Sequence, residues 1–147
     1  MKPYEHTQTA RWLFVLMLPV IGFAIVARTE PGAQAAAVFA IAVAAVVLIV
    51  FTRLAIGVDA EGVRWSMGYG WPAGFIPAAE ITRAEITRTN LLEGWGIHWT
   101  IWHGWLWNVG GFQAVEICKT DGSSVTLGTD DPQGLLDAIE RFRRGAA

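Results

Sequence analysis

The residues best able to do chemistry crowd into one stretch, Gly94-Trp95-Gly96-Ile97-His98-Trp99-Thr100-Ile101-Trp102-His103-Gly104-Trp105-Leu106-Trp107. It holds five of the eight tryptophans and two of the three histidines of the chain. Two imidazoles this close in sequence raise zinc or haem ligation first. His98 and His103 are an odd number of positions apart, so on a continuous strand they point to opposite faces; they converge only if the chain bends near Gly104. No carboxylate or cysteine stands at ligand spacing beside them, and there is no C-x-x-C-H motif. The pattern therefore assigns no metal ligand and no cofactor. Nucleophilic chemistry fares no better, because Ser66, Ser123 and Ser124 lie in strand or turn contexts without a G-x-S-x-G elbow. Glu80 and Glu85 belong to the near-repeat Glu80-Ile81-Thr82-Arg83 and Glu85-Ile86-Thr87-Arg88 and read as solvated cross-strand partners of arginines. No catalytic residue is assigned, and the chain reads as non-enzymatic.

What remains is the tryptophan excess, with Trp95, Trp99, Trp102, Trp105 and Trp107 as candidates for binding or for contact with a membrane interface. Ile97, Trp99 and Ile101 alternate onto one strand face and are expected in a core, since large aromatics dominate core energetics. Trp102, Trp105 and Trp107 have two readings. An indole keeps an apolar body and a polar N–H, which suits the headgroup level of a bilayer; tryptophan is equally enriched at protein-binding hot spots.

The elements that must position these rings change character at residue 53. Before it, Trp12–Ala27 and Ala35–Thr52 contain no charged residue, and the short polar link Arg28–Gln34 joins them. A run of this length reaches about 26 Å as a helix, the short end of a membrane span. The reading is a two-helix transmembrane hairpin with spans at about 11–28 and 34–53, set against a buried helical pair in a soluble protein. Lys2, Arg11 and the small-residue end Ile25-Val26-Ala27 also fit a cleaved signal peptide. Lys2, Arg11, Arg53 and Arg64 flank the runs, against Arg28 alone in the link, so both termini are expected in the cytoplasm. Neither run contains His, Asp, Glu, Lys or Arg, which leaves no proton relay, ion path or bis-histidine haem site within the spans. Alanines of the second run offer a face on which another helix can pack closely, and Pro19 is expected to bend the first.

After residue 53 the period shortens. Ile56–Val58, Val63–Met67, Gly74–Pro77 and Ile81–Thr89 read as short strands. Ala114–Lys119 and Ser124–Gly128, joined through Asp121-Gly122, read as a hairpin. A final helix over 131–144 starts at Asp131 as N-cap with Pro132 behind it, and Leu135, Ile139 and Phe142 share a face. Phe75-Ile76-Pro77-Ala78-Ala79-Glu80-Ile81 followed by Arg83-Ala84-Glu85 resembles the I-P-x-x-x-I-x-x-x-E strand-turn-strand of bacterial pleckstrin-homology-like domains. Gly94–Ile97, Gly110–Ile117 and the run from Asp121 through Pro132 into Leu135–Ile139 continue the likeness, which covers roughly 54–144. The resemblance implies a bent, barrel-like sheet capped by the terminal helix. It brings no catalytic residue, because these domains are binding modules.

Composition closes the list of classes. A net charge of −2 with scattered basic residues excludes a nucleic-acid binder, and a single cysteine, Cys118, excludes a disulfide framework. The expected architecture is α+β: residues 1–53 form a tail and transmembrane hairpin, and residues 54–147 a pleckstrin-homology-like cytoplasmic antiparallel β-barrel or sheet with its C-terminal amphipathic helix. The expected role is a scaffold or accessory subunit of a larger complex in the bacterial inner membrane, and the alternative is a lipid- or small-ligand-binding module. The expected partners are the lipid bilayer and other membrane protein subunits, with a homo-oligomer compatible.

Overall fold

The two uncharged runs fold as helices because nothing in them competes with backbone pairing: α1 is Arg11–Ala27 and α2 is Gln34–Phe51. The structure, a computed structural model, describes residues 2–30, 32–90, 95–101 and 104–145. α2 is long and apolar enough to cross a membrane, whereas α1, at 17 residues, is an apolar but shorter companion. Only 11% of the apolar stretch of α2 is buried, whereas the core helix of a soluble domain is mostly buried. The outward side chains of both helices, among them Phe14, Leu18, Phe23, Phe39, Ile41 and Val46, are exposed. The alanine face finds its neighbour within the chain: Ala37 packs with Ala24 and Ala27 near the link, and Ala44 joins the cluster that holds Met17. α1 runs on through Pro19.

Both helices are inserted between two paired strands. Tyr4–Thr9, which read as a tail, is strand β1, and it pairs antiparallel with β2, Arg53–Val58, in a register that sets Thr9 opposite Arg53 and Tyr4 opposite Val58. The inward side chains of β1 hold it by hydrogen bonds: the Tyr4 hydroxyl donates to Asp131 Oδ2 (3.1 Å), His6 Nε2 meets Asp130 Oδ1, and Gln8 Nε2 donates to the Gly110 carbonyl (2.8 Å). Cleavage after Ala27 would remove this strand from the sheet, which argues against a signal peptide.

The first sheet continues through β3 (Gly62–Met67) to β4 (Ala73–Pro77), in the order β1-β2-β3-β4 and antiparallel throughout. A 3-10 turn, Ala78–Glu80, then leads to β5 (Ile81–Arg88) of a second sheet. That sheet also contains β6 (Gly96–Thr100), β7 (Gly104–Asn108), β8 (Gln113–Lys119) and β9 (Ser124–Gly128), in the order β5-β8-β9-β7-β6. Its pairs are antiparallel except β7 with β9, which are parallel because β9 returns between β8 and β7. Of the expected antiparallel barrel or sheet, the structure shows sheet, in two separate pieces rather than one closed barrel. Pro77 and the 3-10 turn interrupt the ladder where β4 would have to continue into β5, and closure falls to side chains and to the last helix.

That helix, α3 (Pro132–Gly145), starts as expected: Asp131 Oδ1 accepts from the Gly134 amide (3.0 Å), and Arg143 and Arg144 lie in the last turn. Leu135, Ala138, Ile139 and Phe142 are buried against strands of both sheets. One apolar cluster joins Leu54, Val63, Met67, Ile117 and Leu127 to Leu13 and Met17 of α1 and Ala44 of α2. The roots of the helices thus share the core of the β domain.

Candidate functional site

The tryptophan stretch forms the hairpin β6–β7, the outer edge of the second sheet. Its register sets Ile97 opposite Trp107 and Trp99 opposite Trp105, so all four side chains stand on one face. The face is not uniform. At its root Trp107 is half-buried and meets Trp65 of β3 edge-on, with ring centroids 5.6 Å apart and planes at 73°. Trp65 can lean this way because Gly74 faces it across β3 and β4: a Cβ at Gly74 would lie 2.2 Å from the indole. At its tip the pair Trp99 and Trp105 is 60% and 51% exposed, and Ile101 beyond them is 71% exposed. Of the three residues expected in the core, Ile97 packs against the core cluster, as does Trp107, whereas Trp99 and Ile101 are on the surface. Alternation assigned the shared face correctly, but only the root of the hairpin lies over the first sheet.

The opposite face is dry and polar at one point. Leu106 and Asn108 are fully buried. Asn108 Oδ1 accepts from the Gly110 amide (2.9 Å), and its Nδ2 donates to the Gly111 carbonyl (3.3 Å), which fixes the exit from β7. His98 Nε2 is buried without a hydrogen-bond partner among the described residues. Trp102 and His103 lie outside the described residues, so whether the two imidazoles converge is not decided. Among the described residues no group of three His, Cys, Asp or Glu side chains is placed to hold a metal.

Trp95 stands apart from the hairpin face. Its ring packs tilted against Trp12 of α1, with centroids 4.1 Å apart and planes at 40°, while Trp12 Nε1 donates to the Val109 carbonyl (2.8 Å). The two rings border a groove of about 340 Å³ between the helices and the second sheet, lined also by Leu16, Met17, Val47 and Phe51. On the other side of the helix roots, the turn from β3 to β4 carries Tyr69 and Trp71, exposed to 81% and 77%. Nothing in the strand pattern of the sequence singles out Tyr69-Gly70-Trp71-Pro72; the one local signal there is two large aromatics in a segment rich in turn formers.

Charges lie elsewhere and are locally paired. Arg64 binds Asp59, which holds the Asp59 carboxyl below the usual range and the guanidinium above its own. Arg83 pairs with Glu85 on its own strand rather than across the sheet. Asp121, accepting from the Ser123 hydroxyl and amide and then from Lys119, titrates at about 2. Burial, then the hydrogen bond to Asp131, pushes the Tyr4 phenol up. Burial, then Glu116 and Glu85, pushes the Cys118 thiol up. None of these five shifted groups lies on β6 or β7. The hairpin offers apolar area, indole N–H groups and an outer strand edge, which suit recognition. Comparison with family models, with curated proteins and with solved structures returns no match.

Proposed function

We propose that this chain is a non-enzymatic, membrane-anchored interaction module. In this reading α1 and α2 both cross the bacterial inner membrane, both termini are cytoplasmic, and a pleckstrin-homology-like domain serves as scaffold or accessory subunit of a larger membrane complex. The observation that carries the reading is the exposed cross-strand pair formed by Trp99 of the outer strand β6 and Trp105 of its neighbour β7. Outer strands are normally guarded by charge, proline or a bulge. The described residues of β6 and β7 carry no Lys, Arg, Asp, Glu or Pro. Tryptophan pairs of this kind anchor protein interfaces.

The test is purification of the full chain from its native membrane in mild detergent, beside the double variant Trp99→Ala, Trp105→Ala. The expected result is one or more subunits recovered in fixed ratio with the wild type and lost with the variant, while the thermal transition is kept. A wild-type chain that runs alone as a monomer sinks the reading. A second reading, binding of a lipid or small ligand, is favoured by the groove between Trp12 and Trp95. Leu16→Trp would fill that groove, and under this reading it displaces a co-purifying ligand without affecting subunit recovery.

A further inference from the structure

The turn between β3 and β4 is pinned beside the last turn of α2. The Gly68 amide donates to the Arg53 carbonyl (2.9 Å), and Arg53 Nε donates back to the Gly68 carbonyl. At φ +53°, Gly68 lies so close to the helix that a Cβ there would stand 2.2 Å from the Ile49 carbonyl oxygen. The turn therefore lies level with residues of α2 that belong to its apolar run, not beyond the end of the helix. Tyr69 and Trp71 project from it almost fully exposed, and the Arg53 guanidinium sits 5.2 Å from the centre of the Tyr69 ring. At the same level on the other side, the first turn of α1 carries Trp12, packed against Trp95.

Two large aromatics left in water on a tight turn gain nothing from folding. Placed where hydrocarbon gives way to headgroups, each buries its ring and keeps its O–H or N–H wet. The exposed apolar exteriors of α1 and α2 run directly into this ring of aromatics, and Arg53 supplies a cation at phosphate depth. We propose that Tyr69 and Trp71 seat the β3–β4 turn in the headgroup layer of the bilayer, opposite Trp12 and Trp95, so that the β domain meets the membrane in one fixed orientation. The inference rests on the membrane-anchored reading above, and its test separates the two.

Spin labels are placed on the full chain in proteoliposomes, on a Cys118→Ser background, at three single sites: Ile41→Cys in the middle of α2, Trp71→Cys in the turn, and Gln133→Cys on α3. Relative accessibility to oxygen and to a water-soluble nickel chelate reports depth. The expected order is Ile41 deepest, Trp71 intermediate and Gln133 aqueous. If Ile41 is deep and Trp71 matches Gln133, the seated turn is wrong while the anchor stands; Trp71 as deep as Ile41 also overturns the headgroup placement. An aqueous Ile41 overturns the anchor and the turn together. Should the label disturb the turn, fluorescence quenching by lipids brominated near the headgroup replaces it. Trp71→Phe then removes part of the quenched emission, and an unchanged quenched fraction overturns the proposal.

Discussion

Trp65 fills the space between the sheets because its neighbour across the strand has no side chain. A Cβ at position 74 would meet Cζ2 of the indole at 2.2 Å and Cε2 at 2.5 Å, and a shift of the ring would disturb its edge-on contact with Trp107. Gly74→Ala is expected to cost about 1–3 kcal/mol, as forced overpacking does, read as a lowered denaturation midpoint of the full chain in detergent. An unchanged midpoint would show that Trp65 has a second comfortable position. Cys118 gives a pH-dependent counterpart. Burial first, and then the carboxylates of Glu116 and Glu85, disfavour its thiolate, so the folded-state pKa lies above the ordinary value. Since the thiolate is the reactive form, alkylation at pH 8 should be slower for the folded chain than for the denatured one, with its half-maximal rate displaced upward. Equal rates would contradict the burial of this thiol.

At the scale of elements, the apolar exterior of the helices makes the sharpest demand. Ile41 is exposed, so Ile41→Arg creates no clash and would be harmless in water. At the centre of a membrane helix an arginine costs about 2.5–3.5 kcal/mol. The variant should therefore shift from carbonate-resistant to carbonate-extractable or be degraded, and full retention in the membrane would sink the assignment of α2 as a span. The helices, the hairpin β8–β9 and α3 were legible because each has a local signal: an uncharged run, a Asp-Gly turn, a cap followed by an apolar stripe. β1 was not. Its inward residues are Tyr4, His6 and Gln8, which are held by hydrogen bonds rather than by apolar burial, so no hydrophobic alternation marks it. The candidate site was half legible. Alternation put Ile97 and Trp99 on one face correctly, but burial depends on which end of the hairpin the other sheet covers, a tertiary fact. The strand order of the second sheet was not legible for a similar reason, because β9 returns between β8 and β7 and no local pattern encodes that choice.

For the whole molecule, the pairing of β1 with β2 fixes the two ends of the helical insertion on one side. Tags placed at the N-terminus and after α3 should therefore be accessible from the same face of sealed vesicles, whichever face that is. Protease protection of one tag but not the other would contradict the sheet itself, not merely the orientation. Asp130 and Asp131 reach β1 from the segment leading into α3, and Gly110 reaches it from the segment between β7 and β8, so the first strand touches distant parts of the chain at once.

That arrangement has a consequence for how the protein is made. β1 precedes both helices in the chain, and its partner β2 follows them. If α1 and α2 both cross the bilayer, as proposed above, a chain that inserts only one of them leaves the two strands on opposite sides, where they can never meet. The first sheet then lacks its outer strand, and Tyr4, His6 and Gln8 lose the acceptors that hold them. On the proposed two-span anchor, a complete first sheet would therefore distinguish a correctly looped molecule from a half-threaded one.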